Sequence, residues 1–343
     1  MNKIAVLGAG SWGTAQAILL SKHTSQVCLW GRPEDGIDAM IGDRENKRFL
    51  PGISLASNIE PLSDLKAAVQ GAGLIVLAVP SQALREVLKK LASYLDPNSF
   101  LVNTAKGLEI ATGIRLSQVV EDVLGKEIRQ HYAVLSGPSH AEEVARGVPT
   151  VVTVAAYNSE TAFQVQDVFM SPVFRVYTNP DVAGVELGGA LKNIVALATG
   201  MSDGLGFGDN TRAALMTRGL TEITRMGVAM GGDYRTFSGL SGMGDLVVTC
   251  GSGHSRNRRA GELLGQGYSL NETLEKVGMV VEGVNTVRVV NEIADQIGVE
   301  MPISEACYKI LYERQSPGDA LDRLMRRRRK HELEEIAVNI KGW

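Results

Sequence analysis

The sequence predicts an α/β chain: a mainly parallel sheet domain over residues 1–180, followed by an all-α domain over residues 181–343. Three observations carry this expectation. Short apolar, β-branched runs alternate with helical periodicity as far as Thr178, the pattern of strands joined by crossover helices. Asn179-Pro180 then breaks that pattern. Beyond it strand signals cease, and periodic helices follow at about 182–200, 210–230, 257–266, 283–297, 303–314 and 318–334. With 343 residues and 44% hydrophobic content, the chain is long enough for two packed domains.

The first element is the apolar strand Ile4 to Leu7, which ends at Gly8-Ala9-Gly10-Ser11-Trp12-Gly13 and leads into helical periodicity from Thr14 to Lys22. In such a strand, glycine turn and helix, the first glycine permits the tight turn. The second lets backbone approach a pyrophosphate, and the third lets helix and strand pack closely. The helix N-terminus then faces the anion. A plain glycine turn is the competing reading, but the position of the motif, directly after an apolar strand, favours a Rossmann-type domain that binds a dinucleotide. Gly8, Gly10 and Gly13 are the candidate cofactor contacts.

A second strand, Gln26 to Trp30, ends at Gly31-Arg32. An acidic residue at this place binds the ribose hydroxyls of NAD, whereas an arginine accommodates the 2′-phosphate of NADP. Arg32 therefore leans towards NADP, while Glu34 and Asp35 keep NAD open; Arg32 also reads as a solvated loop residue. The run Leu74 to Val79 suits a strand buried on both faces, and Ser81 after Pro80 is placed to cap a following helix. Phe100 to Ala105 is another strand and delivers Lys106 at its carboxyl end, where open parallel sheets bind ligands. A loop lysine exposed to water is the alternative.

Tyr132 to Ser136 reads as a strand running into Gly137-Pro138-Ser139-His140-Ala141-Glu142, in which Ser139 and Glu142 have the spacing of a capping box. His140 is read as structural or solvated rather than as a general base. Thr150 to Ala155 and Phe174 to Thr178 complete the strands, with a helix between them.

In the second half, Val185 to Leu197 reads as a helix that contains Gly188, Gly189 and Lys192 among apolar residues. Each glycine costs about 1 kcal/mol relative to alanine in a helix interior. Positions 185, 189, 192 and 196 share one face, which is therefore flat and carries one amine. Missing side chains let another backbone, a domain or a ligand come close; a tight helix crossing with a snorkelling lysine is the plainer reading. The glycine-rich stretch Met201 to Asn210 reads as a loop whose Asp209 or Asn210 caps the next helix. Asp245 lies between glycines and an apolar run. Ser255-Arg256-Asn257-Arg258-Arg259 offers two or three guanidiniums that suit phosphate, or else a solvated helix start. Arg326 to Lys330 reads as a solvated helix end, with Glu332, Glu334 and Glu335 close behind it.

Composition narrows the function class. A net charge of −3 and a pI near 6.0 give no global attraction to nucleic acid or anionic membrane. Cys28, Cys250 and Cys307 stand at unrelated spacings and form neither a disulfide framework nor a zinc pattern. Cys250 and His254 have no partner pattern for a nucleophile and base or for a metal, so no metal is expected. No signal peptide pattern opens the chain and no apolar run approaches spanning length, so a cytoplasmic protein without stable membrane insertion is expected. The 38 glycines are about 11% of the chain against a usual ~7%, an excess that asks for backbone lying close to ligands.

Taken together these motifs resemble the bacterial-type NAD(P)-dependent glycerol-3-phosphate dehydrogenases over nearly the whole chain. The most telling segments are the glycine turn at 8–13, Ala105 to Glu109, Ser136 to Ser139, Glu186 to Asn193, Gly200 to Gly208, Gly244 to Leu246, Ser255 to Arg259 and Val280 to Gly283. The resemblance implies that Ser11, Trp12, Arg32, Lys106, Ala141, Arg256, Val280 and Glu282 line the cofactor, NADP or NAD. It implies that Lys106, Gly137, Ser139, Lys192, Asp245, Ser255, Arg256 and Asn257 hold the small-molecule substrate, with Lys192 as proton acceptor. Ser139 stands where threonine is also expected, a departure that keeps the hydroxyl.

The reaction implied is the interconversion of sn-glycerol 3-phosphate and dihydroxyacetone phosphate, with Lys192, Lys106 and Asp245 as the catalytic group. Asp245 is expected to orient Lys192, and the two amines to converge when the cleft closes. A homodimer and a supply of glycerol 3-phosphate to phospholipid synthesis are further implications of the resemblance. A hydroxyacid or phosphogluconate dehydrogenase of the same plan would need a carboxylate clamp instead. A non-catalytic NADP sensor would need no lysine on the glycine face.

Overall fold

A computed structural model describes residues 1–329 and 331–332. Among the described residues, eight strands form one sheet: β1 (Lys3–Leu7), β2 (Gln26–Trp30), β3 (Ile59–Leu62), β4 (Leu74–Leu77), β5 (Phe100–Asn103), β6 (Tyr132–Ser136), β7 (Thr150–Ala156) and β8 (Phe174–Asn179). Their order is β3-β2-β1-β4-β5-β6-β7-β8. All neighbours are parallel except β6 and β7. The helices of this part are α1 (Ser11–Leu20), α2 (Ile37–Asp43), α3 (Leu65–Val69), α4 (Leu84–Leu91), α5 (Leu116–Leu124), α6 (Ala141–Ala145) and α7 (Ser159–Phe169).

The central strands are apolar on both faces because both faces are covered. Ile4 and Val6 of β1 enter one core, whereas Ala5 and Leu7 enter another that includes Leu84, Leu88 and Leu91 of α4. Strand order reverses between β1 and β4, which opens a crevice at the carboxyl ends of these strands. β3 carries Glu60 and Pro61, which break the apolar pattern of a buried strand. It lies at the sheet edge, where a proline without an N–H is tolerated.

The rest is helical: α8 (Val182–Gly204), α9 (Asp209–Ala229), α10 (Asp245–Gly251), α11 (Arg256–Gly265), α12 (Leu270–Val277), α13 (Glu282–Ile297), α14 (Pro302–Tyr312) and α15 (Pro317–Met325). Asp181 caps α8 by accepting from the Gly184 amide at 2.8 Å. Nearly every residue of α8 is buried, and the other helices pack around it. Among the described residues α8 is the one helix long and apolar enough to cross a bilayer, which amends the expectation that no stretch reaches that length; its burial inside the protein accounts for its composition.

Five local expectations are corrected. α8 continues through Asp203 to Gly204, so the stretch read as a loop begins later; α9 starts after Gly208 without a side-chain cap from Asp209 or Asn210. The capping box at Ser139 and Glu142 is absent, because α6 starts only at Ala141 and the Ser139 hydroxyl donates instead to the Gly137 carbonyl at 3.1 Å. Ser81 caps no helix; its hydroxyl is used elsewhere, as described below. The last expected helix ends at Met325, with Arg326 to Arg329 exposed beyond it. Lys330, Glu334 and Glu335 lie outside the described residues.

Candidate active site

Three glycines shape the carboxyl end of β1. Gly8 has φ +122°, and a Cβ there would stand 2.6 Å from the Ala78 carbonyl oxygen; a Cβ at Gly13 would stand 1.8 Å from the Gly8 carbonyl oxygen. Both positions are therefore closed to any side chain. Gly10 is different: among the described residues nothing comes within 4 Å of its Cβ position. No side chain caps α1 and its first turn holds no acidic residue, so its amides and the positive end of its dipole face that space. The Trp12 indole N–H is also buried nearby without a hydrogen-bond partner. This cradle fits the pyrophosphate of a dinucleotide. At the end of β2, Arg32 is exposed, and its guanidinium is held by Asp35 at 3.0 Å and Glu34 at 3.4 Å.

The adjacent strand ends bring in the first amine. Lys106 follows β5, and its Nζ donates to the Gly137 carbonyl at 3.0 Å and to Asp245 Oδ2 at 2.6 Å. Gly137 itself has φ +141° beside Val152, which lets the chain turn after β6. Ser139 binds the same carbonyl as Lys106, and Ala141 begins α6 as a buried residue. His140 lies between them, its Nε2 3.4 Å from the Val248 carbonyl and its ring 5.8 Å from that of His254. Burial, and then the Lys192 charge, lower the pKa of His140.

The helical part supplies the second amine. Lys192 Nζ donates to Asp245 Oδ1 at 2.5 Å and to Thr249 Oγ1 at 2.6 Å. The paired glycines have separate physical reasons. A Cβ at Gly188 would stand 2.7 Å from the Ser241 carbonyl oxygen, in the single π-helical turn Leu240–Gly244 that leads into α10. A Cβ at Gly189 would stand 2.7 Å from Ser136 Oγ and 3.5 Å from Lys106 Cγ. One glycine admits the backbone that carries Asp245, and the other admits Lys106 from the sheet part. Both amines thus converge on one carboxylate in this structure.

Electrostatics follow from burial. Lys192 is pulled down to about 8, by burial first and by Lys106 next, against the opposing pull of Asp245. Burial pushes the Asp245 carboxyl up, but the two ammonium groups outweigh it and hold the group below its ordinary value. Fully charged, the cluster has two cations for one anion, so it favours negative charge placed beside it.

The remaining expected contacts divide. Ser255 caps α11 by accepting from the Arg258 amide at 3.2 Å, and Asn257 donates to Asn193 Oδ1 at 2.9 Å while accepting from the Gly283 amide at 2.8 Å. Arg256 is half-buried, and its guanidinium has no hydrogen-bonded or ion-paired partner among the described residues. Burial lowers its pKa although Glu282 and Glu142 are near. Within the run read as offering two or three guanidiniums to phosphate, Arg258 is instead committed to Asp203 at 2.7 Å, because alternate positions on a helix face apart, and Arg259 is exposed. Val280 is exposed, and Glu282 opens α13.

Residues that sequence reasoning missed complete the arrangement. Thr249 supports Lys192, and Asn193 links Asn257 to the Lys106 carbonyl at 3.5 Å. Ser81 donates from its amide and hydroxyl to Glu282 at 3.1 and 2.6 Å, joining the β4 end to α13. Thr249 follows Asp245 by one helical turn, a signal available once α10 is recognised. Ser81 and Glu282 are 201 positions apart and carry no local signal.

Residues 3–162 match the family described as NAD-dependent glycerol-3-phosphate dehydrogenase N-terminus, and residues 181–322 match the corresponding C-terminus. A glycerol-3-phosphate dehydrogenase (NAD(P)+) of Syntrophomonas wolfei is 66% identical over 343 residues, covering 100% of both chains. One from Moorella thermoacetica is 60% identical, covering 97% of this chain and 98% of its own. The crystal structure of glycerol-3-phosphate dehydrogenase from Coxiella burnetii superposes with a TM-score of 0.91 at 40% identity, covering 95% of this chain and 99% of that one. The chain belongs to the NAD-dependent glycerol-3-phosphate dehydrogenase family.

Proposed function

We propose that the protein interconverts sn-glycerol 3-phosphate and dihydroxyacetone phosphate with NAD(P), and that Lys192 moves the proton. The observation that carries this reading is the meeting of Lys106 and Lys192 on Asp245, with Arg256 at the start of the next helix. When bound, the nicotinamide supplies or takes the hydride. In reduction, the Lys192 ammonium stabilises charge growing on the carbonyl oxygen and gives it a proton; in oxidation the neutral amine takes the hydroxyl proton. Asp245 and Thr249 hold the amine in place. Lys106, tied to the Gly137 carbonyl, brings a second cation to the same oxygen. Arg256 takes the substrate phosphate, with Ser255 and Asn257 fixing the helix start that presents it.

In this reading residues 1–180 hold the cofactor and residues 181–343 most of the substrate site, with Lys106, Gly137 and Ser139 closing the site from the sheet side. Gly8, Gly10, Ser11, Trp12 and Gly13 hold the pyrophosphate, and Ala141, Val280, Glu282 and Arg256 border the nucleotide. Arg32 favours NADP, since its exposed guanidinium ends β2 where a 2′-phosphate would stand. Family membership supports the same assignments, a homodimer in the cytoplasm, and a supply of glycerol 3-phosphate for phospholipid synthesis. The test of the activity is direct: the purified protein mixed with NADPH and dihydroxyacetone phosphate should consume the nicotinamide absorbance. No loss of absorbance with either NADPH or NADH would refute the reading.

A further inference from the structure

α8 and α11 run side by side in the same direction with almost nothing between them. A Cβ at Gly200 would stand 2.0 Å from the Arg258 carbonyl oxygen, one at Gly261 2.1 Å from that of Leu197, and one at Gly265 2.3 Å from that of Met201. Helix pairs normally fix their relative position by seating side-chain ridges in grooves. Two glycine-lined surfaces have few ridges, so polar links must set how far α11 stands along α8. Among the described residues two such links join these helices. At one end Asn257 bonds Asn193, inside the candidate site. Further along, the Arg258 guanidinium donates to Asp203 Oδ2 from Nε at 2.8 Å and from Nη2 at 2.7 Å.

Asp203 lies outside the site. It is on α8 about three helical turns past Lys192. Its other oxygen is held at 2.8 Å by Arg212 of α9, so it is anchored independently of α11. Its side chain is 8% exposed, which keeps water from competing for these bonds. Arg258 also donates its amide to the Ser255 hydroxyl, so one residue ties the start of α11 both to its cap and to α8.

We infer that the Asp203 and Arg258 ion pair is a positioning device that fixes Arg256 relative to Lys192 and thereby sets the length of phosphorylated substrate the site accepts. This rests on the reading that Arg256 takes the phosphate and Lys192 serves the reacting oxygen. A substrate that bridges the two must match their separation, whereas a free anion needs only Arg256.

The test uses the full chain carrying Asp203→Asn, with Arg258→Lys as a second variant should the first fold poorly. The Michaelis constants for dihydroxyacetone phosphate and NADPH, kcat, and competitive inhibition by inorganic phosphate are measured together. The expected result is a KM for dihydroxyacetone phosphate raised about tenfold, with kcat, the NADPH constant and the phosphate inhibition constant all within about threefold of the parent. General loosening of the fold would move all four quantities together. That outcome, or a KM unchanged within about twofold, overturns the inference. Failure of the underlying reading is seen separately in the parent protein, as absence of dihydroxyacetone phosphate reduction or of inhibition by phosphate.

Discussion

Lys192 Nζ and Asp245 Oδ1 stand 2.5 Å apart, with neither side chain open to solvent. Deleting one member of such a buried pair leaves the other charge uncompensated and costs about 3–5 kcal/mol. Here the carboxylate is shared with Lys106, which relieves Asp245 of full dependence on Lys192. The pair therefore has a different sensitivity on its two sides: loss of the amine leaves a carboxylate still paired, while loss of the carboxylate leaves two amines facing each other.

That asymmetry makes Lys192→Met the informative substitution. It keeps length and helix propensity, and Asp245 keeps Lys106, so fold and NADPH binding should survive. Single-turnover hydride transfer should fall by about 10²–10⁴-fold, the usual contribution of a positioned acid or base. Retention of the rate within about threefold on that scale would leave Lys192 a packing residue and move the proton to Lys106.

The pH profile should carry the same signature. With Lys192 lowered to about 8, the oxidation rate of glycerol 3-phosphate rises with pH through that region as the amine loses its proton, and the reduction rate falls through it. Lys106 contributes to the lowering and Asp245 opposes it. Lys106→Met should therefore move the midpoint of the residual activity up, and Asp245→Asn should move it down. Profiles recorded for both variants at saturating nucleotide check the two signs; a midpoint indifferent to both substitutions assigns the limb to another group.

Sequence reading reaches the sheet, the glycine turn and the central helix for identifiable reasons. β4 is a continuous apolar run because both its faces are covered, and the glycines beside Lys192 cost helix stability without local gain. β3 is lost to Glu60 and Pro61, which an edge strand tolerates but a pattern search rejects. α10 is lost because its start is wound through a π turn rather than a capped helix start. The roles of Arg256 and Arg258 are separable only by knowing which face of α11 meets α8, information that resides in the glycines of both helices and in Asp203.

Cofactor choice can be tested at Arg32, whose guanidinium is exposed and held by Asp35 and Glu34. Arg32→Ala should remove a charged hydrogen bond to the 2′-phosphate worth about 1.5–3 kcal/mol, raising KM for NADPH about 10–150-fold. The constant for NADH, which has no 2′-phosphate, should change little. Steady-state titration with both nucleotides decides it, and equal losses would remove Arg32 from the discrimination.

A last prediction concerns stability rather than catalysis. Glu222 of α9 is buried and accepts from the Ile303 and Ser304 amides at 2.7 and 3.3 Å, at the first turn of α14. Burial outweighs these bonds and the Arg225 and Arg327 charges, and pushes the carboxyl from 4.5 up to about 7. The folded protein thus retains a proton that the unfolded chain releases near the ordinary carboxylate value. The associated stability is fully present below about pH 4.5 and is lost as pH rises through about 7. Glu222→Gln keeps a carbonyl acceptor for the Ile303 amide but cannot titrate. Relative to that variant, the parent protein should lose denaturant resistance between about pH 5 and pH 8. Unfolding midpoints of the two proteins, measured across this range, should diverge in that direction; a constant difference would mean that Glu222 does not change protonation there.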